Sequence, residues 1–231
     1  MLNMKPATPI TEVSPSTQLR KVVFGGSLIC LALSALLADL AFSARAAEEP
    51  VLAPIFNGKD LSGWRVPGPN PWWTVVDGVL VGQSSPDQKG DVLETKKLYR
   101  DVIVECEARW NGKIDSGIFL RKGQKWQCQI GISRSLKKDM TCSIYNGTYE
   151  GHEAHGVDRL LKPGDWNKIR IEAIGSKFKI YLNGENVLEW ESDAYPEPGP
   201  IGLQIHPGLQ MKVEYRNLKA AALSDAEPAA K

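Results

Sequence analysis

Short alternating stretches separated by tight-turn pairs constrain this chain more than any other feature. Asp77-Gly78, Asn111-Gly112 and Asn183-Gly184 each follow a run in which apolar and polar residues alternate. Alternation with period two marks a strand with two unlike faces. Asn-Gly and Asp-Gly favour tight turns because both residues tolerate positive φ, and 77–78 and 183–184 read as hairpin turns. Residues 73–81, 99–110, 166–173, 177–190, 201–206 and 211–218 all fit this scheme. Prolines at 67–71 and 196–200 interrupt it, since proline fixes φ and donates no hydrogen bond. No stretch has the spacing of an amphipathic helix of useful length, so the expected fold class is all-β, a sandwich or a barrel.

The stretch 115–130 is expected to be a pair of strands with contrasting sides. Ile118 and Leu120 point one way, and Gly117, Phe119 and Arg121 the other. On the second strand Trp126, Cys128 and Ile130 oppose Gln127 and Gln129. Other strands carry polar groups opposite their apolar parity: Glu105, Glu107 and Arg109, then Gln204 and His206. If these strands share a sheet, the polar groups form one patch. Amides and carboxylates hold hydroxyls, and rings such as Phe119 or Tyr145 stack on the apolar face of a sugar, so the patch suits a polyhydroxylated ligand. The competing reading is that Glu/Arg cross-strand pairs only solubilise the sheet.

The net charge of +1 leaves no electrostatic footprint for nucleic acid or anionic lipid. Arg20 and Lys21 precede an apolar run, 22–42, and Ala44-Arg45-Ala46 follows it. This reads as a secretory signal over 1–46, cleaved before Ala47, which implies a periplasmic or secreted protein with no membrane attachment afterwards. An uncleaved anchor is the alternative, the run being roughly 20 residues. Cleavage leaves about 185 residues, a one-domain length. The domain is expected over 47–219, followed by a frayed, Ala-rich tail over 220–231. Cys106, Cys128 and Cys142 take the apolar parity of their strands and read as core thiols. If 126–132 pairs with 140–145, Cys128 and Cys142 lie nearly opposite each other, and an oxidising compartment would permit a disulfide. No metal spacing or phosphate loop is present, so no metal or cofactor is expected. The 146–158 segment, with His152 and His155, reads as a surface loop.

The ordered set of motifs resembles one family. It comprises Phe56-Asn57-Gly58-Lys59-Asp60-Leu61-Ser62-Gly63-Trp64, Val76-Asp77-Gly78-Val79-Leu80, Asp115-Ser116-Gly117-Ile118-Phe119-Leu120-Arg121, Gly164-Asp165-Trp166-Asn167, Gly202-Leu203-Gln204-Ile205-His206 and Tyr215-Arg216-Asn217-Leu218. Together these are similar to the 3-keto-disaccharide hydrolase domain family. The resemblance implies a concanavalin A-like jelly-roll β-sandwich of two curved antiparallel sheets. It also implies an exported bacterial protein whose ligand is a small carbohydrate or glycan. Hydrolysis of glycosidic bonds in 3-keto sugars is the activity implied. Glu107 is then the expected base, Arg121 the stabiliser of an enolate oxygen and His206 a second proton carrier. Arg109, Gln127, Gln129, Tyr145 and Gln204 are the expected sugar contacts. The chain departs from the family where a glutamate gives way to Gln127, which can bind a hydroxyl but cannot act as acid or base. That departure supports a lectin-like, non-catalytic alternative. Cys128 and Cys142 also replace other residues, which favours their pairing.

Overall fold

Alternating segments become strands that stack as two antiparallel sheets in the structure, a computed structural model that describes residues 49–121, 126–192 and 197–223. The expected leader 1–46, its cleavage point at Ala47 and the tail beyond Leu223 lie outside the described residues. The strands in chain order are β1 (Ala53–Pro54), β2 (Trp64–Arg65), β3 (Trp73–Val76), β4 (Val79–Gln83), β5 (Val92–Thr95) and β6 (Val102–Trp110). They continue with β7 (Asp115–Leu120), β8 (Trp126–Ser133), β9 (Lys138–Asp139) and β10 (Ile144–Tyr145). A single helical turn, α1 (Val157–Leu160), precedes β11 (Asn167–Ile174), β12 (Lys177–Leu182), β13 (Glu185–Glu191), β14 (Gly202–Gln204) and β15 (Lys212–Ala222).

One sheet has the order β13-β12-β11-β6-β15-β4-β3, with β1 also on β15. The other runs β10-β8-β7-β14-β5-β2, with β9 on β8. Among the described residues the pairings are antiparallel, and of the sandwich and barrel expected from the alternation it is the all-β sandwich that forms. Asp77, in the left-handed region at φ 50° beside Gly78, makes the β3–β4 turn, and Asn183 at φ 52° makes the β12–β13 turn.

The core lies between the sheets. Register puts Val104 opposite Ile171, which in turn faces Ile180, so one inward row crosses β6, β11 and β12. The facing row is Ile118, Cys128 and Ile144 across β7, β8 and β10. All six side chains are buried. Ser116 spans the gap: its hydroxyl lies 3.4 Å from the Tyr215 hydroxyl and donates to Gln204 O at 2.7 Å. Two local expectations are corrected. Residues 220–222 of the expected tail are not frayed but continue β15, where Ala220 pairs with both Val104 and Ala53. His152 is not at the surface: it is buried, its Nδ1 is 2.7 Å from Ile144 O, and its ring packs on Trp190.

Candidate functional site

Four neighbouring strands, β14, β7, β8 and β10, carry polar side chains on their outward face. Gln127 pairs with Phe119 on one side and Tyr145 on the other, and Gly117 pairs with Gln129. Strand alternation therefore brings these residues to one surface. Gly117 is required there by space. A Cβ at this position would stand 2.3 Å from Gln127 Nε2, so only glycine lets the glutamine lie across the neighbouring strand.

The amides form a chain of hydrogen bonds. Gln129 Nε2 donates to Asp115 Oδ1 at 2.9 Å and to Ile132 O at 3.0 Å. Gln127 Nε2 donates to Gln129 Oε1 at 2.7 Å, to Gln204 Oε1 at 3.2 Å and to Ser116 O at 3.2 Å. Asp115 is buried, and its second oxygen accepts the Arg134 backbone N–H. Arg134 Nη1 donates to Pro207 O at 2.8 Å, and its guanidinium lies against Gly208. His206 Nδ1 is 2.7 Å from the same carbonyl. A carbonyl only accepts, so Nδ1 carries the proton and Nε2 presents a lone pair in the neutral ring.

Above this floor is an open cleft of about 400 Å³. Phe119, Tyr145, Tyr149 and His206 bound it together with the glutamines and the 133–135 turn. Tyr145 is partly exposed and its ring centroid is 5.0 Å from that of Tyr149. Burial pushes the Tyr149 phenol up, so it stays a neutral donor. The cleft thus offers hydroxyl-binding amides, ring surface and one imidazole with a lone pair. Among the described residues no group of three or more His, Cys, Asp or Glu side chains is placed to hold a metal ion.

The structure brings together Gln127, Gln129, Tyr145, Gln204 and His206 from the expected set. It does not bring Glu107, Arg109 or Arg121 to them. Glu107 and Arg109 lie on β6, in the other sheet, because the strands that carry the polar residues do not share one sheet. Glu107 Oε2 accepts from Arg216 Nε and, at 3.0 Å, from Asn217 Nδ2. Arg109 Nε donates to Glu214 at 2.7 Å. The Arg109 and Arg216 guanidiniums both lie over the Trp166 ring, 4.4 and 4.2 Å from its centroid. Lys168 meets Glu105 at 3.0 Å on the same face. That sheet therefore carries the solubilising charge ladder of the competing reading.

Arg121 departs for a local reason. Strand β7 ends at Leu120, and Arg121 turns left-handed at φ 64°, which breaks the alternation. Its side chain is buried, donating to Arg100 O and Gly175 O at 2.8 Å and lying over Phe178. It ties loops together instead of facing ligand.

Cys128 and Cys142 are free, buried thiols here, not a disulfide. Ile144, not Cys142, is the cross-strand partner of Cys128, and Cys142 sits at φ 66° just before β10. Contact with Cys142, and then burial, hold the Cys128 thiol well above its ordinary range. Asp115, Arg134 and Tyr149 are site residues outside the expected set. Asp115 carries a legible signal, since it shares the parity of Gly117 and Phe119.

Comparison with known proteins places the family and the fold. A family model described as the 3-keto-alpha-glucoside-1,2-lyase-like domain matches residues 52–221. No curated protein matches the chain. Among solved structures, a candidate glycosyl hydrolase from Parabacteroides distasonis ATCC 8503 is 22% identical with a TM-score of 0.58, covering 75% of this chain and 100% of its own. A structure described as a native glycosidic hydrolase is 16% identical with a TM-score of 0.55, covering 78% of this chain and 99% of its own. At these identities the likeness is one of fold.

Proposed function

Since this chain belongs to the 3-keto-alpha-glucoside-1,2-lyase-like domain family, we propose that its cleft binds a glycoside oxidised at C3 and cleaves the glycosidic bond by elimination. The observation that carries this is His206, which lines the cleft with the three glutamines and, with Nδ1 bonded to Pro207 O, keeps Nε2 as its available base. Among the described residues lining the cleft, Asp115 is the one carboxylate, and both its oxygens accept hydrogen bonds. Ordinary glycoside hydrolysis needs two carboxyl groups roughly 5–9.5 Å apart, which this lining does not supply. A ketone at C3 removes that need by acidifying the C2 proton.

In this reading His206 Nε2 takes the C2 proton, in the role first expected of Glu107. The C2–H electrons form a C1=C2 double bond, the C1–O bond breaks, and the imidazolium returns a proton to the departing oxygen. Gln204 Nε2 donates to the developing enolate oxygen, in the role expected of Arg121. Addition of water across the double bond then yields the free keto sugar. Phe119 and Tyr145 supply ring surface for the sugar.

A second reading is favoured by the same amides. Gln127 and Gln204 would hold hydroxyls without chemistry, as a lectin-like module would. Incubating the protein with a 3-keto-disaccharide and with its unoxidised parent separates the two. The lyase reading expects release of sugar from the keto compound alone, with a transient unsaturated ketone seen by absorbance or mass. Binding of either sugar without release would leave the module. We also propose that the protein is exported after cleavage before Ala47. An intact mass of the exported protein that retained residues 1–46 would contradict this.

A further inference from the structure

One carboxylate of the cleft lining, Asp115, has both its oxygens taken by protein hydrogen bonds. Asp115 accepts only, as does Ile132 O, so Gln129 must turn its NH2 toward both. Its carbonyl oxygen then faces Gln127, which must answer with its own NH2. Ser116 O reinforces that choice. Gln127 Nε2 in turn meets Gln204 and obliges it to present oxygen. Gln127 Oε1 and Gln204 Nε2 are left over. Neither takes a hydrogen bond among the described residues, and both side chains line the cleft.

We propose that Asp115 is a positioning residue that orients the three glutamines, and that Gln127 Oε1 and Gln204 Nε2 are the resulting specificity pair. One accepts and one donates. A ketone oxygen satisfies the donor outright, whereas a hydroxyl there accepts but leaves its own proton without a nearby amide acceptor, because Gln204 Oε1 already accepts from Gln127. The pair therefore selects a ligand with a hydroxyl beside an acceptor-only oxygen. This deepens the reading of the cleft as a keto-glycoside site and rests on it for the identity of the ligand.

Asp115→Asn is the first test, because an asparagine cannot accept from both Gln129 and the Arg134 N–H without exposing its own NH2 to one of them. The expected result in ¹⁵N NMR without ligand is that the side-chain NH2 signals of Gln127 and Gln129 shift and lose exchange protection, with the backbone spectrum retained. Unchanged amide signals would overturn the proposal whatever the protein does to sugars. The second test compares binding of methyl 3-keto-α-glucopyranoside and methyl α-glucopyranoside, in the His206→Asn background so that nothing turns over. The unmutated floor should prefer the ketone by about 10-fold, the scale of one discriminating hydrogen bond. Gln204→Glu still accepts from Gln127 but no longer donates, so the preference should vanish or invert. Asp115→Asn should bring it toward unity. Equal weakening for both sugars with the ratio intact would mean a structural role only and would overturn the proposal. A protein that binds with this ratio yet releases no sugar would leave the proposal standing and remove the lyase reading.

Discussion

Gly117 and Gln127 show how single atoms shape this face. A methyl at 117 would land 2.3 Å from Gln127 Nε2 and 2.4 Å from its Cγ. These are side-chain atoms, so the strand can stay while the amide moves. Gly117→Ala is therefore expected to cost only about 1–2 kcal/mol in urea unfolding but to weaken sugar binding about 10-fold or more. Equal affinity in the variant would show that Gln127 is not part of the floor. Alternation alone marks Gln127, Gln129 and Gln204 as outward residues. It cannot mark Asp115 as their anchor, because the link passes through side-chain hydrogen bonds that have no sequence period.

Loops and strand ends are where local pattern and structure part company. The family-like turn after Phe56 is held by Asp60, whose Oδ1 accepts from Asn57 Nδ2 and the Ser62 N–H, both at 2.8 Å. Bonds from Ser62, and then from Asn57, lower its pKa from 3.8 to about 2. A depressed carboxylate stabilises the fold above its unfolded value and loses that contribution as pH falls through its folded value. The turn should accordingly hold at pH 4 and loosen between about pH 3.8 and 2. NMR titration of Asp60 checks this, and a midpoint near 4 would contradict it. The three thiols of the described residues, which are those left after the proposed cleavage before Ala47, give a second element-scale prediction. Cys106, Cys128 and Cys142 are buried and unbridged, and burial pushes the Cys106 thiol up as well. Thiol labelling should thus be slow in the native protein and reach all three in denaturant without reductant. Labelling of only one would establish the disulfide instead. Arg121 explains why parity misleads at a strand end. Alternation extends only as far as the strand, and one left-handed residue sends the side chain inward.

At the scale of the whole molecule, the two sheets divide the work. The β6, β11 and β15 face carries ion pairs and the Arg109, Trp166 and Arg216 cluster, while the β7, β8 and β14 face carries the neutral cleft. Strand positions and fold class are legible from turn pairs and alternation. Which strands share a sheet is not, because β6 and β7 are adjacent in sequence yet join different sheets. The same gap hides the pairing of 219–222 with β6 and β1, since an Ala-rich segment has no pattern to read. Ending the chain at Leu218 should cost about 2–4 kcal/mol relative to ending it at Leu223, through lost strand pairing and exposed Ala220. Equal urea midpoints would contradict that. The central claim, that chemistry belongs to the cleft and not to the charged sheet, is tested most directly by the rate of sugar release from a 3-keto-disaccharide in two variants. His206→Asn should slow release about 100-fold or more with binding retained, while Glu107→Gln should leave the rate within about 3-fold. The reverse result, loss with folded Glu107→Gln and none with His206→Asn, would contradict it.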